Sequence, residues 1–319
     1  MTITNTWGLP AGVGDGDGVD KGALAGLLVG EGLGRWVALF GEHADRRQSA
    51  AAALGRGLTL LDTTIRSAVK MQGGVWEIEI QPEHGGRIIS LRLAGEELLD
   101  QGIGVDDPSQ AGFVAAGARG WDEMVPCVDA SRYPGPGSFE GVELPDHGEA
   151  WRLPWTVIDD ATLECAGRVL PWRLRRRVVL AERAARLTYS YRNEGAEPLL
   201  AYWCAHPSFR YESDMQVDAG SPVPRPQAGA SRKVFLRRDQ ADSARLEWRS
   251  GSAIEIAWDK RLTPYVGVWV CNGDLGGYHH IAIEPATGGG DRPHPAVPPP
   301  LLAPGEELAW WLEVRDVRN

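Results

Sequence analysis

Cysteine is scarce in this chain and forms no recognisable motif. The 319 residues include four cysteines, at positions 127, 165, 204 and 271, and no two of them make a C-x-x-C pair. Zinc knuckles and dithiol redox sites depend on such closely spaced pairs. The sequence therefore supports neither kind of site. It favours a reducing compartment, and we predict a cytoplasmic protein.

The chain also lacks a long apolar segment. Its first apolar run, Ala23–Val29, is short and interrupted by glycine, and the residues before position 21 include no lysine or arginine. A membrane-spanning helix needs roughly 20 apolar residues, and a secretory signal has a positively charged start. We therefore predict neither a membrane span nor a secretory signal.

Positive charge is in deficit. The chain has 33 Lys and Arg against 43 Asp and Glu, a net charge of -10. The densest basic run, Arg173–Arg177, leads into the apolar run Val178–Leu180 and is typical of a solvated strand face. This balance argues against nucleic acid or an anionic membrane as the main partner.

The composition changes near residue 70. The first part is Gly/Asp-rich over Gly12–Asp20 and then Ala-rich, which is compatible with helix. From Val75 onward, apolar and polar residues alternate with period two, as in a half-buried strand. We predict an N-terminal extension over residues 1–70, of uncertain structure and partly helix-compatible, followed by a β domain over residues 71–319.

Many short strand-like runs follow, separated by Gly, Pro, Asn or Asp turn signals. The predicted strands are 75–80, 87–93, 152–159, 161–166, 172–180, 186–193, 199–206, 245–249, 253–258, 265–271, 280–284 and 308–314. Many strands without long intervening helices favour an all-β protein, and we predict a large antiparallel β-sandwich.

Three segments place titratable side chains among turn residues and aromatics. They are L-P-D-H-G at Leu144–Gly148, H-P-S-F at His206–Phe209 and I-E-P-A-T-G at Ile283–Gly288. In this order, and with G-G-R-I-I-S-L at Gly85–Leu91, they resemble the aldose 1-epimerase (galactose mutarotase) family. The resemblance covers roughly residues 75–316. It implies the galactose mutarotase-like supersandwich, a small sugar as partner and no cofactor or metal.

The reaction implied by this resemblance needs an acid and a base at one anomeric centre. Interconversion of α and β anomers removes a proton from the C1 hydroxyl and delivers one to the ring oxygen. The resemblance implies Glu284 as the base, His206 as the acid, and His147 as a residue that orients the sugar. Each has a structural alternative, since a histidine beside Gly148 or Pro207 is also common at turns and strand ends.

Four further residues are candidates for sugar binding. Arg119 stands where the family has a sugar-contacting arginine, and Trp269 offers an aromatic face to sugar C–H groups. Asp122 and Glu123 could accept hydrogen bonds from sugar hydroxyls, or could instead pair with arginines as structural ion pairs. The family's sugar-binding aspartate has no clear counterpart in the sequence.

Three alternatives remain open at this point. A hexose-phosphate epimerase of the same superfamily would need a cluster of cationic donors, and Asp146 and Glu149 make the first histidine segment acidic. A non-catalytic sugar-binding protein could share the fold. A metal enzyme could use His147, His206 and Glu284 as ligands, but their spacing is not that of a specific metal site.

Overall fold

The structure, a computed structural model, describes residues 3–4, 68–102, 112–236, 238 and 240–318. The helix-compatible segments predicted within residues 1–70 lie outside the described residues. The first strand after that gap, Val69–Gly73, begins two positions before the predicted boundary at residue 71.

Short and long strands follow one another along nearly the whole described chain. In chain order the elements are β1 (Ile3–Thr4), β2 (Val69–Gly73), β3 (Trp76–Gln81), β4 (Arg87–Leu93), β5 (Glu96–Glu97), α1 (Phe113–Gly117), β6 (Trp121–Met124), β7 (Ser131–Arg132), β8 (Glu143–Leu144), β9 (Thr156–Asp159), β10 (Thr162–Ala166), β11 (Trp172–Leu180), β12 (Ala184–Asn193), β13 (Leu199–Leu200), β14 (Cys204–Arg210), β15 (Gln216–Asp218), β16 (Ala230–Phe235), β17 (Ser243–Glu247), β18 (Ala253–Trp258), β19 (Tyr265–Asn272), β20 (His279–Ala286), β21 (Leu301–Leu302) and β22 (Glu307–Asp316).

Two large sheets contain most of these strands. One has ten strands in the order β1-β16-β19-β20-β14-β6-β4-β3-β2, with β5 beside β4, and the other has eight in the order β15-β17-β18-β22-β12-β11-β10-β9. The pairings are antiparallel, apart from that of β1 with β16. Apolar residues of both sheets form one continuous core. The predicted all-β antiparallel sandwich is therefore confirmed.

Alternation along each strand decides which side chains enter this core. In β11 the buried positions are Trp172, Leu174, Arg176 and Val178, and the residues between them are more exposed. Successive side chains of a strand point to opposite faces of its sheet. Three arginines of the predicted solvated face thus do face outward, whereas Arg176 faces inward and is fully buried.

The ten-stranded sheet is covered on both faces where β20 lies. Seven of the eight residues of β20 are buried. Ile281 and Ile283 belong to the core between the sheets, whereas Ala282 and Ala286 pack in a second apolar cluster with Phe113 of α1. Within the described residues, no helix is long and apolar enough to span a bilayer. The outer face of this sheet, beneath α1, is where polar side chains converge.

Candidate active site

A cavity of about 670 Å³ lies on the outer face of the ten-stranded sheet. Its floor comes from four neighbouring strands, β14, β16, β19 and β20, and α1 contributes to its wall. Its volume falls in the range of about 300–1,000 Å³ that small-molecule sites occupy. Its titratable lining residues are Asp129, Asp146, His147, His206, Lys233, Asp274, His280, Glu284 and Asp291.

The register of β14 and β20 brings His206 next to Glu284. Cys204 pairs with Ala286, so two residues further along the antiparallel strands His206 comes opposite Glu284. His206 Nε2 lies 3.7 Å from Glu284 Oε1, and both side chains are almost completely buried. Among the described residues, no group donates a hydrogen bond to this Oε1. An oxygen of this kind can receive a hydrogen bond from a substrate hydroxyl.

Burial shifts the pKa values of both groups. Burial, aided by His147, His280 and Lys233, holds the pKa of His206 well below its ordinary value. Burial also raises the pKa of Glu284, against the opposing effect of the Lys233 ammonium. These shifts make the free energy of the pair with its proton on His206 more similar to that of the pair with its proton on Glu284. Such a pair can take a proton from one atom and deliver one to another.

His147 reaches the cavity from a tight turn before β9. Its φ is +58°, and Gly148 follows with a φ of +66°. A Cβ at Gly148 would come within 2.2 Å of the Val125 carbonyl oxygen, so glycine is needed there. The His147 ring stacks on Phe113, with centroids 4.2 Å apart, and its Nδ1 lies 3.0 Å from Asp146 Oδ2. The turn thus fixes the imidazole at the wall of the cavity.

Lys233 and Asp291 also line the cavity, and sequence analysis did not single out either of these charged residues. The Lys233 ammonium on β16 lies 2.6 Å from Glu284 Oε2 and 2.5 Å from Asp291 Oδ1. Although burial disfavours the charged amine, the carboxylates of Asp291 and Glu284 raise the pKa of Lys233. Lys233 is therefore a permanent cation beside the candidate base.

Each ring nitrogen of His280 has its own polar partner. The indole N–H of Trp269 donates to His280 Nε2 at 3.0 Å, and His280 Nδ1 lies 3.2 Å from Asp100 Oδ2. An indole nitrogen can only donate, so Nε2 must be the accepting, unprotonated nitrogen. The proton therefore lies on Nδ1, toward Asp100. The neighbouring His279 is exposed, as strand alternation requires.

The predicted site residues separate into two groups. The cavity is lined by Glu284, His206, His147 and Trp269, whereas Arg119, Asp122 and Glu123 are not among its lining residues. Arg119 donates to the Gln101 carbonyl at 2.8 Å. Arg87 Nε donates to Asp122 at 2.9 Å, and Arg176 donates to Glu123 at 2.9 Å. Asp122 and Glu123 thus form structural ion pairs with arginines, which was the alternative to sugar binding in the sequence.

The described residues contain no cluster of three histidine, cysteine, aspartate or glutamate side chains arranged to hold a metal ion. The ring centroids of His147 and His206 are 6.1 Å apart, and His206 faces Glu284 at 3.7 Å.

Comparison with known proteins gives matches among solved structures. No protein-family model and no curated protein matches the chain. A protein from Synechocystis aligns at 14% identity over 78% of this chain and 94% of its own, with a TM-score of 0.62. A galactose mutarotase-like protein from Lactobacillus casei aligns at 15% identity over 78% and 99%, with a TM-score of 0.58.

A third structure is that of an aldose epimerase homologue from C. elegans, at 11% identity over 79% of this chain and 98% of that one, with a TM-score of 0.56. The chain has the galactose mutarotase-like fold. The resemblance inferred from the sequence motifs is thus confirmed for the fold. Since this fold does not by itself fix an activity, the function must be argued from the residues of the cavity.

Proposed function

We propose that the protein is an aldose 1-epimerase, a mutarotase that interconverts the α and β anomers of a free aldose. The observation that carries this proposal is the facing pair of His206 and Glu284, 3.7 Å apart on the floor of a cavity of about 670 Å³. A carboxylate and an imidazole on adjacent strands can flank one anomeric centre, as ring opening requires.

The reaction begins with two proton transfers. The Glu284 carboxylate removes the proton of the C1 hydroxyl, and the His206 imidazolium donates a proton to the ring oxygen. The bond between C1 and the ring oxygen breaks, and C1 becomes the aldehyde carbon of the open chain. Rotation about the C1–C2 bond then presents the other face of the aldehyde.

Ring closure reverses these transfers. The former ring oxygen, now a hydroxyl, attacks C1 and returns its proton to His206, while Glu284 returns its proton to the C1 oxygen. Both residues end in their starting forms, so no cofactor is consumed. Holding the sugar between two positioned groups supplies much of the acceleration that orientation can give.

The wall of the cavity suits a sugar ring. His147 can donate to or accept from a ring hydroxyl, and its stacking on Phe113 limits its rotation. Trp269 lines the same cavity, and its indole N–H is already engaged by His280. What remains of Trp269 for a ligand is its apolar surface, which suits sugar C–H groups.

Polarimetry of freshly dissolved α-D-glucose and α-D-galactose tests the proposal. The protein should speed the approach to anomeric equilibrium, and Glu284→Gln should lower kcat by about 10²–10⁴-fold because it removes the base and keeps the shape. Glu307→Gln, the same change at an exposed position of β22, serves as the matched control. Wild-type protein that accelerates neither sugar would contradict the proposal.

A further inference from the structure

Lys233 is buried in an unusual setting for a lysine. Only 3% of the residue is exposed, and its ammonium bridges Glu284 and Asp291. A buried ammonium is costly unless it is paired with opposite charge. Two carboxylates within 2.6 Å satisfy this need. Lys233 is therefore paired with the carboxylate of Glu284, which also lines the cavity.

The backbone beneath this ion pair leaves room for it only because residue 267 is glycine. Gly267 lies opposite Glu284 in the pairing of β19 with β20. A Cβ on Gly267 would lie 2.9 Å from Lys233 Cε and 3.0 Å from Glu284 Oε2. Both distances are shorter than the ordinary van der Waals contacts of a Cβ atom. The lysine and the glutamate thus meet in a space that three adjacent strands shape together.

The other groups around Glu284 cannot replace this lysine. His206 faces Oε1 and not the Oε2 that Lys233 holds. Cys204 is a neutral thiol, since burial holds its pKa well above its ordinary value. His147 acts on Glu284 only as a more distant charge, and Asp291 adds a like charge. His280 is engaged by Trp269 and Asp100.

We propose that Lys233 is a positioning residue for the base: its ammonium, anchored by Asp291, holds Oε2 of Glu284 so that the group is ionised and Oε1 faces the C1 hydroxyl. The inference rests on the proposed function for the identity of the reaction. The hold of Lys233 on Glu284 can be measured without any substrate.

Two substitutions should move the titration of Glu284 in opposite directions. Lys233→Met removes the positive charge at Oε2, so the pKa of Glu284 should rise by about one to three pH units. Asp291→Asn removes the neighbouring negative charge and leaves the lysine, so the pKa of Glu284 should fall. Lys260→Met, at an exposed position, is the matched control and should change nothing.

The titration is read from the ¹³C NMR signal of the glutamate carboxyl carbons, with the Glu284→Gln spectrum to assign the resonance. The midpoint of the acid limb of the pH profile of kcat/KM for mutarotation should shift with the pKa of Glu284. It should move to higher pH for Lys233→Met and to lower pH for Asp291→Asn. At neutral pH, Lys233→Met should lower kcat much more than it raises KM, because the base and not the binding of the sugar is affected.

Titrations of Glu284 that stay unchanged, or that move the same way in both variants, would overturn the inference. A KM effect with an unmoved pH profile would also overturn it, since it would make Lys233 a direct sugar contact. If Lys233→Met does not fold, Lys233→Gln, which removes the same charge but keeps a polar side chain, decides by the same upward shift of the Glu284 pKa. If opposite shifts occur in a protein without mutarotase activity, the positioning by Lys233 stands and the proposed function fails.

Discussion

The imidazole of His206 has polar groups on both sides of its ring. Nδ1 lies 3.3 Å from Ser208 Oγ, and Nε2 faces Glu284. When His206 is the imidazolium, its Nδ1–H can donate to the serine hydroxyl, and its Nε2–H lies on the side of the cavity. A serine two residues further along the same strand thus orients the group that we assign as the acid.

We expect His206→Asn to lower kcat for mutarotation by about 10²–10⁴-fold, because asparagine keeps polar contacts and cannot deliver a proton at neutral pH. Polarimetric rates at several sugar concentrations separate this loss from a change in KM. His279→Asn makes the same substitution at the exposed neighbour of His280 and should keep wild-type rates. Equal rates for both variants would remove His206 from the mechanism.

The residues of the cavity differ in how visible they are in the sequence. His147, His206 and Glu284 stand beside Gly148, Pro207 and Pro285, and those neighbours make the segments recognisable. Lys233 and Asp291 have no such mark, because their role depends on a contact across 58 positions of sequence. Only the pairing of β16, β19 and β20 brings that lysine to Glu284.

The two sheets are joined by a buried ion pair between β6 and β11. Arg176 Nη1 donates to Glu123 Oε1 at 2.9 Å, and neither side chain has any exposed surface. Tyr189 and Trp203 also donate to this carboxylate, and Arg176 contacts the Gly86 carbonyl. The pair satisfies several polar groups that the sandwich core would otherwise leave unpaired.

We expect Glu123→Gln to lower the free energy of unfolding by about 3–5 kcal/mol, because it leaves the Arg176 charge buried without its partner. Urea unfolding followed by tryptophan fluorescence measures this change. The double variant Glu123→Met with Arg176→Met should recover part of the loss. Unchanged unfolding together with a raised KM would instead make Glu123 a sugar contact.

Strands were predictable from the sequence where apolar and polar residues alternate regularly. They were missed where charged side chains face the interior. The predicted bounds 87–93, 172–180 and 253–258 are those of β4, β11 and β18. In contrast, β6 and β16 were missed. All four residues of β6 are buried, and two of them are acidic. In β16, Ser-Arg-Lys follows the first residue, Ala230, and has the polarity of a surface turn. Buried ion pairs remove the polarity pattern on which strand prediction depends.

The cavity shares the acidic character of the chain, whose net charge is -10. Asp129, Asp146, Asp274, Glu284 and Asp291 line it. Among its described lining residues, Lys233 is the only lysine or arginine, and two of these carboxylates already neutralise it. Burial and the neighbouring Asp291 raise the pKa of Asp129, as expected for a carboxyl in a negative environment.

Glu149, one of the two acidic residues beside the first histidine segment, adds no charge to the lining of the cavity. Its carboxylate instead accepts hydrogen bonds from the backbone N–H groups of Arg168 and Val169. Asp146 does line the cavity, and further negative charge comes from residues scattered over the sequence, at positions 129, 274 and 291. The conclusion about phosphate is kept, but it now rests on groups that only the fold assembles.

This charge leads to a prediction about substrate choice. A phosphate dianion needs several charge-assisted donors, and the carboxylates of this cavity would repel it. We therefore expect kcat/KM for glucose 6-phosphate to be at least about tenfold lower than for glucose, which corresponds to about 1.4 kcal/mol of transition-state free energy. Because salt screens the long-range repulsion that a phosphate meets as it approaches the cavity, raising the ionic strength should narrow this difference.

A 6-deoxyhexose separates charge from the loss of the hydroxyl. Like glucose 6-phosphate it has no free 6-hydroxyl, but it carries no charge, so its kcat/KM should stay close to that of glucose at every salt concentration. If glucose 6-phosphate proves the better substrate, cations must reach the cavity in the working protein, and the hexose-phosphate epimerase alternative would replace the free-sugar assignment. A low rate that does not respond to salt would point to steric exclusion of the phosphate and against repulsion by the carboxylates.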